Sequence, residues 1–244
     1  MIDLFFPPRC PFCRNLLSSG STEGAGLLPR DWSNPALEGL LCSRCAAELP
    51  WLVHSCTRCA RSLTVAGDEC PYCREREVAF DYACALGSYN GALRKTLHRF
   101  KYGGEKALAV PLGRLLAARI SNIPWFSKVD MLVPVPLSPK RQRIRGYNQA
   151  AMLAQTVSRE LGIPTQELLQ RTRDTESQTG LDRHARWENI NGAFKVHEKR
   201  GTNLEERNLL LVDDILTSGA TAHAASLVLK AAGAAQVSLA VIAR

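Results

Sequence analysis

A chain of 244 residues, 45% apolar and 22% charged, has the composition of a globular protein with room for one large domain or two modest ones. No segment approaches the ~18 uninterrupted apolar residues of a membrane-spanning helix. "MIDLFFPPRC" is broken by Asp3 and two prolines, so it does not read as a secretory signal, and a cytoplasmic protein is expected. The formal charge of +8, from 31 Lys+Arg against 23 Asp+Glu, favours anionic partners such as phosphates or nucleic acid without choosing between them.

Residues 1–80 have short apolar stretches and frequent turn residues, and "SSGSTEGAG" (18–26) is a loop by composition. Such a segment buries little core and needs staples. The cysteines supply them. Of the nine, eight form four C-x-x-C pairs, Cys10/Cys13, Cys42/Cys45, Cys56/Cys59 and Cys70/Cys73, and Cys84 stands alone.

The cytosol keeps thiols reduced, so disulfides are not the expected use. A C-x-x-C turn offers two thiolates from one knuckle, and Zn²⁺ takes four in a tetrahedron. Four knuckles therefore make two closed four-cysteine sites. The simplest pairing is sequential, with Cys10, Cys13, Cys42 and Cys45 on one ion and Cys56, Cys59, Cys70 and Cys73 on the other. Spacing alone leaves a crossed pairing open. Proline inside "CPFC" and "CPYC" pre-sets two of the turns.

A redox motif would show one such pair in a βαβ unit rather than four in a loop-rich region. Closed sites keep no open position, which points to structure rather than metal catalysis. Each would carry two negative charges and lower the effective charge from +8 to about +4. His54, two residues before Cys56, reads as a surface histidine because the thiolate set is complete without it.

From about Phe80 the pattern changes. "ACALGSY" (83–89) reads as a buried strand, and the segments after it, "GALRKTLHRFKYG" and "KALAVPLGRLLAARI", as helices. "MLVPVP" (131–136) is a strand ended by prolines. "NQAAMLAQTVSRELG" (148–162) is a helix with Gly162 at its end. "NLLLVDD" (208–214) is a strand, "TAHAASLVLKAAGA" (221–234) a helix and "QVSLAVIA" (236–243) a last strand. Strands alternating with helices predict an α/β fold around a parallel sheet.

One strand ends unusually. "NLLLVDD" runs into Asp213 and Asp214, and a turn of small and hydroxyl residues leads straight into a helix. Open α/β sheets bind ligands at the carboxyl ends of their strands. Backbone N–H groups at a helix start hold phosphate, and Gly219 allows close approach. Two carboxylates beside a phosphate cradle suit sugar hydroxyls, with a Mg²⁺ on the same ligand. The ligand is then a phosphorylated ribose. A Walker-type nucleotide hydrolase is disfavoured, because no G-x-x-x-x-G-K-[ST] is present.

"VDDILTSGAT" resembles the phosphoribosyltransferase signature that binds phosphoribosyl pyrophosphate (PRPP). "VPVPLSPKRQRIRGYNQA" (133–150) adds a basic loop with Lys140, Arg141, Arg143 and Arg145. "RDTESQTGLDRHARWENINGAF" (173–194) offers Arg173, Thr175, Gln178, Leu181, Arg186 and Asn189 in a polar segment suited to a mobile lid. With "YNGALRKTLHRFKYGG" (89–104) and the cysteine-rich front, the whole chain resembles the ComF family, which includes ComFC and GntX-like proteins.

The resemblance implies a double zinc ribbon over 1–80 and a type I phosphoribosyltransferase domain over 81–244. It implies that Asp213 and Asp214 hold the ribose and help place Mg²⁺. Thr217, Ser218, Gly219, Ala220 and Thr221 would take the 5′-phosphate, and Lys140 and Arg141 the pyrophosphate. The acceptor would be an unidentified nitrogen nucleophile.

The same resemblance implies an alternative, a non-catalytic factor in DNA uptake that binds PRPP and single-stranded DNA, with a competence helicase as a possible partner. Arg94, Lys95, Arg99, Lys101, Lys140, Arg141, Arg143 and Arg145 would then contact DNA, with Tyr89, Tyr102 or Tyr147 stacking on bases. Against this, the tyrosines read as ordinary core or rim residues.

Overall fold

A computed structural model describes residues 9–17, 39–65, 69–75, 77–173, 190, 192–197 and 203–244. Its strands are β1 (Ala83–Gly87), β2 (Met131–Pro134), β3 (Leu169–Arg171), β4 (Phe194–Val196), β5 (Asn208–Ile215) and β6 (Gln236–Ala243). Its helices are α1 (Ser43–Glu48), α2 (Pro71–Arg74), α3 (Gly91–Tyr102), α4 (Ala109–Ser121), α5 (Pro139–Arg145), α6 (Gln149–Leu161) and α7 (Ala220–Ala231). Among the described residues no helix is long and apolar enough to cross a membrane.

Four strands pair in the order β1-β6-β5-β2, all parallel, and β3 and β4 form a separate antiparallel pair. The fold is therefore α/β, as the alternation of patterns predicts. Both faces of the sheet are covered, so its strands are near-continuous apolar runs rather than alternating ones. Leu209, Leu210, Leu211 and Val212 are all fully buried. Successive side chains point to opposite faces. Leu210 and Val212 join Leu97, Leu112 and Leu153 in one core. Leu209 and Leu211 join Ala225 and Leu229 in the other.

Local signals fix the elements. The Asn148 carboxamide accepts from the N–H of Ala150 at 3.0 Å and starts α6, which ends at Gly162 with φ 70°. The basic stretch expected as a loop contains a short helix, α5. Ser138 caps it by accepting from the N–H of Arg141 at 3.4 Å, and Pro139 takes its first position. The β3–β4 pair has no counterpart in the sequence pattern, because three-residue strands carry no readable periodicity.

The cysteine region does not stand apart from the sheet. Trp51 bridges to Gly87, Leu52 N–H donates to the Leu86 carbonyl at 3.0 Å, and Ala83 N–H donates to the Thr57 carbonyl at 2.8 Å. This strip runs along the outer edge of β1 and occupies hydrogen-bonding groups that an edge strand would leave open. Gly87 permits the approach, since a Cβ there would lie 2.7 Å from the Pro50 carbonyl oxygen. Phe12, Leu41, Ala46 and Leu49 share one core with Leu86, Leu93 and Leu97. Apolar contacts thus cross residue 80, where the sequence pattern changes.

Candidate functional site

The eight paired cysteines gather into two tetrads. Cys10, Cys13, Cys42 and Cys45 form one, and Cys56, Cys59, Cys70 and Cys73 the other, each with all sulfurs within 4.8 Å of one another. The pairing is sequential. A zinc tetrahedron with Zn–S bonds of about 2.3 Å requires sulfurs roughly 3.8 Å apart. Cys13 and Cys42 lie at 3.5 Å, Cys56 and Cys73 at 3.9 Å, and Cys59 and Cys70 at 3.6 Å. Donor type, number and size therefore fit the ion.

Backbone N–H groups aim at two of the sulfurs, Cys45 to Cys42 at 3.5 Å and Cys70 to Cys56 at 3.3 Å. Such bonds steady thiolates. Burial pushes the Cys45 and Cys73 thiols up, and neighbouring cysteines add to it. A dication removes that penalty by neutralising the set. His54 is exposed, as expected of a histidine outside the ligand set. Cys84 is buried in β1 and its thiol is pushed up to about 12 by desolvation, which makes it an inert packing residue.

In a parallel sheet every carboxyl end lies along one edge, and here that edge holds a cavity of about 550 Å³. Asp213 and Asp214 end the buried part of β5, and both line it. Asp214 is buried and ion-paired with Lys101 Nζ at 2.8 Å. Asp213 is half-buried, and its Oδ1 accepts from the Asp214 N–H at 2.8 Å. Desolvation raises the Asp213 carboxyl to about 7; the Asp214 charge adds to this, while Lys101 and Arg171 oppose it. The pair thus sets an ion-paired carboxylate beside one carboxyl poised near neutrality.

After Ile215 the chain turns through Leu216–Gly219 into α7. Gly219 has φ 89°, a left-handed conformation, and a Cβ there would come no closer than 3.8 Å to any neighbour, the Phe80 ring being the nearest. Glycine is required by conformation rather than by space. Thr217, Gly219 and Thr221 line the cavity. Ser218 and Ala220 belong to the same turn without lining it, the Ser218 hydroxyl accepting from the Ala220 N–H at 3.4 Å. The N-terminus of α7, a 12-residue helix, contributes its orphan N–H groups and positive dipole end.

Arg141 also reaches the cavity from α5, whereas Lys140 is exposed and outside its lining. The lining also includes Tyr89, Arg94, Lys101, Tyr102 and Arg145. Tyr89 and Tyr102 are exposed, each with a guanidinium over its ring, Arg94 at 5.9 Å and Arg145 at 4.9 Å. Tyr147 is no stacking platform. It is buried in the core and donates its hydroxyl to the Phe100 carbonyl. Arg99 is likewise occupied, binding the Pro11 carbonyl of the first cysteine knuckle and Glu105.

Sequence reasoning misses the pairing of Lys101 with the acids, and it misses Arg171. The sequence places Lys101 only among the basic residues near the cleft, since a lysine in the last turn of a helix such as α3 is ordinary. Arg171 sits in the short β3, where nothing marks it. Of the lid segment, Thr175, Gln178, Leu181, Arg186 and Asn189 lie outside the described residues, whereas Arg173 is described, two residues after β3.

Residues 148–244 match the phosphoribosyl transferase domain family. Competence protein F of Haemophilus influenzae is 30% identical over 201 residues, covering 81% of this chain and 87% of that protein. The DNA utilization protein YhgH of Escherichia coli K12 is 28% identical over 200 residues, covering 80% and 86%. Competence protein ComFC of Bacillus subtilis is 28% identical over 205 residues, covering 81% of each. With a phosphoribosyltransferase domain behind two four-cysteine clusters, and with such likeness along most of its length, the chain belongs to the ComF family.

Proposed function

We propose that the protein binds PRPP at the carboxyl edge of its sheet and transfers phosphoribose to a nitrogen acceptor, releasing pyrophosphate. The observation that carries this is the meeting of two strand-end acids with a glycine-gated turn and helix start on one cavity. Asp213 and Asp214 hold the ribose hydroxyls, and Thr217, Ser218, Gly219, Ala220 and Thr221 take the 5′-phosphate. Arg141 neutralises pyrophosphate from inside the cavity, with Lys140 adding charge from outside it.

In the reaction the acceptor nitrogen donates its lone pair to C1 of the ribose as the C1–O bond breaks. Pyrophosphate leaves with the bonding electrons, and the nitrogen loses its proton to solvent. Positive charge builds on the sugar, and fixed carboxylates beside it stabilise that charge. Asp213 and Asp214 would hold Mg²⁺, which would supply Lewis-acid stabilisation of the charge on the leaving pyrophosphate. The donor set fits, since Asp213 and Asp214 are hard oxygen ligands on the cavity wall. The two tetrads hold structural zinc.

The test is pyrophosphate release from PRPP across a panel of bases and amines. Asp213→Ala should abolish release and leave the zinc content unchanged. Retention of PRPP without release against every acceptor would sink the transferase reading.

A second reading rests on the exposed Tyr89 and Tyr102 with Arg94 and Arg145 beside them, and on relatives whose names concern competence and DNA utilization. It makes the protein a PRPP- and single-stranded-DNA-binding factor in DNA uptake, working in the cytoplasm beside a competence helicase. Affinity for single-stranded DNA should then fall steeply with salt, and neutralising Lys140 and Arg141 should flatten that slope. Affinity indifferent to salt rules this reading out.

A further inference from the structure

The turn between β5 and α7 is held from behind. Arg244, which follows β6, places its guanidinium between two parts of the chain. Its Nε donates to the Cys59 carbonyl in the second cysteine tetrad at 2.8 Å. Its Nη1 donates to the Leu216 carbonyl at 3.0 Å and also to the Thr217 carbonyl. The backbone is fixed as well, since Arg244 N–H donates to the Gly87 carbonyl and the Arg244 carbonyl accepts from Tyr89 N–H, both at 3.0 Å.

A trans peptide points its C=O and the following N–H in opposite directions. Fixing the carbonyls of Leu216 and Thr217 on Arg244 therefore turns the N–H groups of Thr217 and Ser218 the other way. Arg244 is not among the residues lining the cavity, and Thr217 is. Among the described residues, the N–H groups of Thr217, Ser218 and Gly219 meet no protein acceptor. An anion-binding turn needs this arrangement, with carbonyls withdrawn and donors presented.

We propose that Arg244 is a positioning residue for this turn, aiming its N–H groups at a phosphomonoester while tying it to the second cysteine tetrad. The proposal rests on the PRPP reading of the cavity. The tie has further strands. Ala79 N–H donates to Nδ1 of His223 in the first turn of α7 at 3.0 Å, and the Phe80 ring backs Gly219. The linker from the second tetrad to β1 thus packs behind the phosphate turn, and order in the tetrad passes to the turn through Arg244.

The test is a titration of the full-length, zinc-loaded, ¹⁵N-labelled protein with ribose 5-phosphate, following individual amides. In the wild type the amides of Thr217 and Ser218 should shift. Arg244→Met should weaken ribose 5-phosphate binding on the order of 10- to 100-fold, the effect of losing donors to a charged ligand. Its zinc content should stay at the wild-type value. Arg244→Lys keeps the charge but cannot span three carbonyls, and should fall between; if Arg244→Met fails to fold, the lysine variant is read on the same scale.

Wild-type affinity in zinc-loaded variants overturns the proposal. Binding of PRPP with the amides of Thr217 and Ser218 silent sinks the positioning role and leaves the transfer reading standing. Amides that respond to ribose 5-phosphate, in a protein that releases no pyrophosphate from PRPP, sink the transfer reading and leave the positioning role. No response to either ligand sinks both.

Discussion

The second cysteine tetrad and the central sheet are neighbours held together by opposite means. The sheet keeps its strands by burying Leu209, Leu210, Leu211 and Val212 between helix layers. The second tetrad is a cluster of its own, four buried cysteines with only Leu63 and Tyr72 packed on them among the described residues. It is tied to the sheet by one small apolar residue, Ala60, which joins the core of Leu209 and Leu211, and by polar contacts, through Arg244 to the Cys59 carbonyl and through Ala83 N–H to the Thr57 carbonyl. The first tetrad is intermediate, for Cys10 and Cys45 belong to the same core as Leu86, Leu93 and Leu97. One sequence motif therefore occurs with two degrees of support from the apolar core.

Metal removal should show the largest effect. Structural zinc contributes about 10–16 kcal/mol of apparent binding energy, which becomes folding energy where no preformed site exists. Chelation should abolish amide-exchange protection across Cys56–Cys73, while the amides of β5 and β6 keep theirs. Protection near Leu41–Leu49 should fall less, because that stretch leans on the apolar core. Equal loss around both tetrads would break the distinction between them.

Next comes a truncation that attacks the sheet side. Leu97 is fully buried in the core that the first tetrad shares. Leu97→Ala should cost about 2–5 kcal/mol in urea unfolding, through lost burial and a cavity. Zinc affinity of the second tetrad should not change. A variant that releases zinc from the second tetrad would show that the two supports are not separate.

The legibility of the molecule follows the same division. Strands buried on both faces announce themselves as apolar runs, so β6 spans the residues the pattern assigns to it, 236–243. The tetrads are legible because C-x-x-C spacing reports ligand geometry directly, although their pairing needs three dimensions. Asp213, Asp214 and Gly219 are legible because two acids and a glycine contradict what a strand and a helix ask for locally. Lys101, Arg171 and Arg244 are not. Each reaches the site or its support from an element that is ordinary in sequence, and only the folded chain brings it within reach.

The two regions should also answer pH with opposite signs. Burial raises the Asp213 carboxyl from 3.8 to about 7, so the folded state holds a proton that the unfolded state has lost. Between about pH 4 and 7 the folded state binds more protons, and stability falls as pH rises. Lowering the pH from 7 to 5 should therefore stabilise the sheet on the order of 1 kcal/mol, and Asp213→Asn should remove that slope. The tetrads go the other way, because metal-bound thiolates compete with protons. Zinc release on acidification, followed by a thiol-reactive dye, should occur while the sheet gains. A sheet that weakens in parallel with zinc loss would mean that Asp213 is not held as described.

The smallest effect tests whether surface charge adds to the cysteine region's stability. Arg44 and Glu48 form an i,i+4 pair on α1 at 3.1 Å, with side chains 73% and 64% exposed. Water and salt screen a pair in so open a position, and holding two long side chains together costs entropy, so its net contribution is slight. Glu48→Gln should therefore shift the urea midpoint by an amount near the limit of measurement and leave zinc affinity alone. The helix carrying the pair has only 6 residues, too few to be stable by itself, and Cys42 and Cys45 fix its first turn to the tetrad. A large loss from Glu48→Gln would mean that surface ion pairs, rather than thiolates and the apolar seam of Leu41, Ala46 and Leu49, hold α1 in place.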